Sequence, residues 1–210
     1  MNYLGIMIRP LSRLLFLFLC SICFQVWAEE KTFSFETDQL EALEKGEVIF
    51  LEPEGQNMLA AVVRIEAKPE FVWEIMLDHE RVTNYVKELR ESKLLETGEN
   101  WKVVQHKLKM SPLLPRFEYV FKEQYGPDYT IEFNRISGAF RELSGQWKLV
   151  SEQDDDHALL LYTTYVDFGW YIPKSWVKKG ISKRVPNLLN AFRDEVYREK
   201  EIREKEKENS

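Results

Sequence analysis

Cysteine is nearly absent from this chain. Of its 210 residues only Cys20 and Cys23 are cysteines, and both lie within one apolar run near the amino terminus. Once that run is removed, the chain has no thiol for a disulfide, a nucleophile or a cysteine metal site. We therefore expect the stability of the domain to come from its apolar core.

Long apolar runs are equally scarce, and the longest covers residues 14–24. Arg9 and Arg13 precede it, and Val26-Trp27-Ala28 follow it. This order predicts a signal peptide over 1–28, cleaved after Ala28, and therefore an exported protein that is periplasmic or secreted. The alternative is an uncleaved membrane anchor, for which the run is short beside the about 20 residues of a spanning helix.

An excess of positive charge is also missing. The chain has 29 basic and 35 acidic residues, which gives a net charge of −6, and the two signs alternate along it. Proteins that bind nucleic acid need a basic stripe that displaces counterions from phosphates. The sequence therefore excludes a nucleic-acid partner.

Motifs for metals and cofactors are lacking as well. The three histidines, His79, His106 and His157, do not have the spacing of metal ligands, and no glycine-rich phosphate loop is present. We predict no metal site and no cofactor.

The remaining chain divides into three parts. Residues 29–46 form a predicted N-terminal helical flap, 47–198 one ligand-binding domain and 199–210 a charged C-terminal tail. The tail consists almost entirely of Glu, Lys and Arg, which is typical of a solvated helical extension or of a frayed tail.

Within the domain, hydrophobic periodicity predicts two strands, two short helices, a run of strands and one long helix. After Pro173, apolar residues recur at threes and fours, which indicates an amphipathic helix. This order predicts an α+β fold in which a curved antiparallel sheet wraps around the closing helix. The predicted strands are 47–52, 58–66, 88–96, 100–110, 117–125, 128–136, 140–151 and 157–167, and the short helices are 69–77 and 80–86.

Two segments in the first half of the chain resemble motifs of the START domains and of their polyketide cyclase/dehydrase and coenzyme Q-binding relatives. Residues 65–74 with 77–81 are similar to the family's strand, its A-x-P-x-x-V-W helix and its D-x-E-R turn. Residues 109–120 resemble the P-x-x-x-R-D-x-V corner, although Phe117 and Glu118 shift its acidic position by one.

Two further segments extend the resemblance. Residues 144–149 are similar to the family's G-x-W-x-L strand, and residues 167–173, Trp176 and 185–193 resemble its passage from the last strand into the closing helix. Each motif is a packing or turn signature, so the order of all four carries the resemblance.

The resemblance implies a START-like helix-grip fold with an internal pocket. Such proteins carry lipids, sterols, quinones or polyketides, and they share no universal set of catalytic residues. The expected partner is therefore a hydrophobic small molecule or a lipid, with a transient contact to a membrane.

The alternation of side chains along the strands and the apolar stripe of the long C-terminal helix predict which residues line the pocket. They are mostly aromatic or aliphatic, with a few polar anchors. The candidates are His106, Leu108, Tyr119, Phe121, Phe133, Arg135, Trp147, Tyr162, Tyr165, Leu188 and Phe192.

His106 lies in the inward-facing set of its strand, with Val104 and Leu108. A buried neutral imidazole there would orient a ligand carbonyl or act as a general base. The alternative is a core histidine whose hydrogen bonds are satisfied by a tyrosine or by backbone.

Arg135 falls in the inward or rim set of its strand. An unpaired buried guanidinium is costly. It therefore meets a carboxylate such as Glu118 or Glu142, reaches solvent, or binds the acidic head group of a ligand.

Three functions are compatible with these features. The first is a binder or carrier of a hydrophobic ligand, and the second is a cyclase, dehydrase or hydrolase that uses His106 with a tyrosine. The third is a protein-interaction module with a vestigial pocket. The sequence favours the first, because nothing in it marks a catalytic constellation.

Overall fold

The computed structural model describes residues 35–52, 58–109, 116–151, 156–169 and 174–209. The predicted signal peptide over 1–28 lies outside these residues. Within them, no helix is both long and apolar enough to cross a membrane.

The helices and strands follow the predicted order. The helices are α1 (Thr37–Glu44), α2 (Pro69–Met76), α3 (Val82–Tyr85) and α4 (Lys174–Glu208). The strands are β1 (Ile49–Leu51), β2 (Leu59–Ile65), β3 (Leu89–Thr97), β4 (Trp101–Leu108), β5 (Phe117–Gly126), β6 (Thr130–Gly138), β7 (Glu142–Ser151) and β8 (Ala158–Asp167).

These eight strands form one antiparallel sheet in the order β1-β2-β8-β7-β6-β5-β4-β3. Strands β3 to β8 follow one another as hairpins. The connection from β2 to β3 carries α2 and α3 and brings the chain to the opposite edge of the sheet. The predicted α+β helix-grip fold is confirmed.

Helix α4 supplies the central apolar face of the domain. Val185, Leu189, Phe192 and Val196 recur at helical spacing and are buried against β2, β7 and β8. On the sheet, alternate residues of β2 and β8, such as Val63 and Leu160, meet this stripe. Apolar residues at every second position of the strands and at a 3.6-residue period in the helix therefore face each other and form one core.

The charged C-terminal segment continues α4. The helix runs on to Glu208, and Glu199 is buried beside Arg81, with Arg81 Nη1 2.6 Å from Glu199 Oε2. Further along, Arg203 donates two hydrogen bonds to Glu74 of α2. The predicted boundary at residue 198 thus falls within a helix whose next turns still contact the domain.

Candidate ligand-binding face

Register pairs define which side chains share the sheet face that packs on α4. Ser92, His106, Tyr119 and Gly138 form one cross-strand row over β3 to β6. Residues paired across antiparallel strands point to the same face. The next row contains Val104, Phe121 and Arg135, so the polar candidates His106 and Arg135 lie in neighbouring rows.

Aromatic rings cover the middle of this face. Phe121 and Phe133 are buried together with Val104, and Tyr119, Trp147 and Tyr162 pack against them. The centroids of Phe121 and Phe133 are 6.3 Å apart, and those of Trp147 and Tyr162 are 4.1 Å apart. Offset and edge-on contacts of this kind stabilise an apolar surface.

His106 is held by one hydrogen bond and lacks another. Its Nδ1 lies 3.2 Å from the Tyr119 hydroxyl, and its ring meets Phe121 edge-on. Its Nε2 is buried and has no hydrogen-bond partner among the described residues. Burial, followed by the charge of His79, lowers the pKa of His106 to about 3, so the imidazole is neutral at physiological pH.

Within the part of the chain that the structure describes, Arg135 contacts backbone and no carboxylate. Nη1 donates to the carbonyl of Ile136 at 3.5 Å, and Nη2 donates to the carbonyl of Gly138 at 3.3 Å. Its Nε is buried and has no partner in the described ranges. Glu118 and Glu142, the carboxylates expected to pair with Arg135, lie on the opposite face of the sheet. Glu118 is next to the inward-facing Tyr119 on β5 and accepts a hydrogen bond from Gln105. Glu142 pairs with Asp167 across β7 and β8.

One of the proposed pocket residues lies on the other face of the sheet. Tyr165 pairs with Ser144 and alternates with Tyr162 and Thr164, so its side chain lies on the other face of the sheet. There its hydroxyl is 3.5 Å from Oδ2 of Asp167. On α4, Leu188 is half-buried, whereas its neighbour Leu189 is in the core.

Phe192 lies where the packed core meets the aromatic face. Its ring contacts Tyr85 edge-on at 5.8 Å and Trp147 at 6.4 Å. Leu108 is half-buried and pairs with Phe117, in a separate row that lies beyond that of His106 and Tyr119.

The sequence analysis missed a second polar cluster on the same face. His79 Nε2 is 3.1 Å from Glu123 Oε2 and 3.1 Å from the Tyr125 hydroxyl, which itself donates to Glu123 at 2.7 Å. Because that hydroxyl uses its proton on Glu123, His79 Nε2 must be the donor. Nearby, Lys102 Nζ donates to the carbonyl of Leu77 at 3.1 Å.

One signal for this cluster was present in the sequence. Glu123 falls in the odd set of β5, with Tyr119, Phe121 and Tyr125, and so replaces an apolar residue in an inward row. A carboxylate at such a position needs a hydrogen-bonding partner. Its partner His79 lies in the turn between α2 and α3, far away in sequence.

In the part of the chain that the structure describes, no three His, Cys, Asp or Glu side chains lie close enough together to bind a metal ion. The pairs around Glu123 and His106 each bring a single histidine to an aromatic hydroxyl. These arrangements are suited to hydrogen bonding.

Comparison with known families gives a match over residues 65–193 to the family described as polyketide cyclase / dehydrase and lipid transport. The chain belongs to this family. No curated protein sequence matches it.

Solved structures of this polyketide cyclase/dehydrase and lipid-transport type share the fold at low identity. A START superfamily protein from Mycobacterium smegmatis is 17% identical, with a TM-score of 0.60, over 67% of this chain and 97% of its own. A STAR-related lipid transfer protein from Xanthomonas axonopodis is 19% identical, with a TM-score of 0.58, over 71% and 92%. An aromatase/cyclase from a Streptomyces species is 15% identical, with a TM-score of 0.57, over 67% and 93%.

Proposed function

We propose that this protein binds and carries a hydrophobic molecule, such as a lipid, a sterol-like compound or a quinone, on the aromatic face beneath α4. The observation that carries the proposal is the buried Nε2 of His106, which has no partner among the described residues and lies on a face otherwise lined by aromatic rings. Natural ligand sites combine a large apolar surface with a few polar groups that orient the ligand.

The packing of α4 supports this location. The helix makes its main sheet contacts with β2 and β8, whereas the row of His106 and Tyr119 lies on β4 and β5. A polar atom left without a partner in a fully packed core would cost free energy with no return. A ligand oxygen at Nε2 would supply the missing hydrogen bond.

The structural neighbours include a STAR-related lipid transfer protein and an aromatase/cyclase, so they are compatible with a binder and with an enzyme. At such low identity they share the fold alone, so the ligand must be identified directly.

Native mass spectrometry of the purified protein, before and after organic extraction, tests the proposal. We expect a stoichiometric apolar molecule that is lost on extraction and that rebinds from the extract. A protein that is empty as purified and that takes up no lipid, sterol or quinone from vesicles would contradict the proposal.

Helix α4 should act as the lid of this site. Phe192→Ala removes a ring at the boundary between the core and the aromatic face, and we expect it to reduce ligand occupancy markedly. The loss of stability should stay below the ~3–5 kcal/mol of a fully packed phenylalanine. Leu149→Ala, on the sheet, is the matched core control.

Thermal unfolding and ligand occupancy per folded molecule distinguish the two roles of α4. If Phe192→Ala unfolds the domain while uptake per folded molecule is unchanged, the helix is only a structural cover.

We also propose that the protein acts outside the cytoplasm, as the run 14–24 and the Val26-Trp27-Ala28 sequence suggest. Amino-terminal sequencing of the exported product should give Glu29-Glu30-Lys31. A full-length chain that stays embedded in the membrane would show that the run is an anchor.

A further inference from the structure

Three buried polar atoms that have no hydrogen-bond partner among the described residues lie in two adjacent rows of the aromatic face. They are Ser92 Oγ, His106 Nε2 and Arg135 Nε. Ser92 pairs with His106 across β3 and β4, and His106 pairs with Tyr119 across β4 and β5. The unsatisfied atoms therefore belong to one region of the sheet.

The guanidinium of Arg135 is directed toward this region. Its Nη2 donates to the carbonyl of Gly138, the residue that pairs with Tyr119. A Cβ at Gly138 would lie 2.4 Å from the Tyr119 Cα, and Gly138 has a φ of +105°. Only glycine therefore allows β6 to approach β5 so closely and to offer its carbonyl to Arg135 at this point.

The charge of Arg135 is not neutralised within the described residues. It forms no ion pair there, and both of its hydrogen bonds are to neutral carbonyls. A guanidinium stays protonated in proteins, and a half-buried one is stabilised by an anion. The face thus carries a cation without its counter-ion.

The three groups together present hydrogen-bond donors. When the Tyr119 hydroxyl donates to Nδ1 of His106, the proton of the neutral imidazole is on Nε2. Ser92 Oγ and Arg135 Nε are donors as well. Carboxylates accept several hydrogen bonds and bind guanidinium groups strongly.

We infer that Arg135, with His106 and Ser92, binds the carboxylate of an amphiphilic ligand whose apolar chain lies on the aromatic face. The ligand class is therefore a long-chain carboxylic acid and not a neutral sterol or ester. This inference rests on the proposed function, because it names the polar end of the molecule bound there.

Competition binding with matched ligands tests the inference. The delipidated protein is loaded with Nile red, a neutral apolar dye, which is then displaced at pH 8 by dodecanoic acid, methyl dodecanoate or dodecanol. We expect the acid to bind at least about tenfold more tightly than the ester or the alcohol, because one charge-assisted hydrogen bond changes affinity by about this factor.

Variants assign this preference to Arg135. Arg135→Met keeps the length of the side chain and removes its charge, so the acid should lose about tenfold in affinity while the ester changes less than about threefold. Arg135→Lys should retain part of the preference. Arg90→Met removes an exposed arginine from β3 and is expected to behave as the unmodified protein.

Each outcome separates the inference from the proposed function. If the unmodified protein binds ester and acid equally, or if Arg135→Met keeps the preference, the inference fails and ligand binding stands. If neither the dye nor any of the three ligands binds, both fail. Should Arg135→Met not fold, the unmodified protein and Arg135→Lys still decide the question.

Discussion

Two polar clusters lie on the same face of the sheet and differ in how their hydrogen bonds are satisfied. In the first, His79, Glu123 and Tyr125 satisfy one another at distances of 2.7 to 3.1 Å. In the second, His106 has one hydrogen bond to Tyr119, and no residue that the structure describes pairs with its Nε2. Both clusters contact β5, and both replace apolar residues in inward rows.

This difference separates structural polar groups from those available to a ligand. A buried network whose members are all paired holds its elements together, and here it ties the turn between α2 and α3 to β5. A buried polar atom without a partner lowers the stability of the free protein, because no hydrogen bond offsets its desolvation. We therefore assign stability to the Glu123 cluster and ligand binding to the His106 cluster.

The largest effect expected from a single substitution at neutral pH is at Glu123. Glu123→Ala leaves His79 and Tyr125 buried without their shared acceptor, and we expect the free energy of unfolding to fall by about 1–3 kcal/mol. Glu118→Ala is the matched control on β5, where the side chain is exposed, and should change stability by less than about 0.5 kcal/mol. Urea unfolding of both variants measures the difference. Equal losses would remove the distinction between the clusters.

The fold was predictable because its signals are local. Alternation placed His106 and Arg135 in inward sets, and the stripe on α4 identified Val185, Leu189 and Phe192. Family resemblance then supplied the arrangement of the elements.

The parts that were not predicted depend on distant contacts or on exact register. Tyr162 and Tyr165 were both assigned to the pocket, although residues three apart on a strand face opposite sides. The bulge between Val120 and Phe121 shifts the pairing of β5 with β6. His79 meets Glu123 only because the turn after α2 folds over the end of β5.

The next effect concerns pH. The pKa of His106 falls from about 6.5 in the unfolded chain to about 3 in the folded protein. Between these values the unfolded state binds more protons, so this group's contribution to stability is complete above about pH 6.5 and is lost as the pH falls toward 3. The slope should reach at most about 1.4 kcal/mol per pH unit.

Replacing the pair tests this assignment. In a His106→Leu, Tyr119→Phe double variant the slope between pH 6.5 and pH 4 should become shallower, while other groups titrate as before. Unfolding by urea at several pH values gives the slope. An unchanged slope would show that His106 is already accessible to protons in the folded state.

The smallest effect should come from the same double variant at pH 7. His106→Leu alone leaves the buried Tyr119 hydroxyl without its partner, which we expect to cost about 1–2 kcal/mol. Adding Tyr119→Phe removes that hydroxyl, so the double variant should recover most of the loss and lie within about 1 kcal/mol of the unmodified protein. Removing both members of a buried hydrogen bond is often nearly neutral, whereas removing one is not. If the double variant is instead less stable than His106→Leu, the pair contributes to folding as the Glu123 cluster does, and the contrast between the two clusters is wrong.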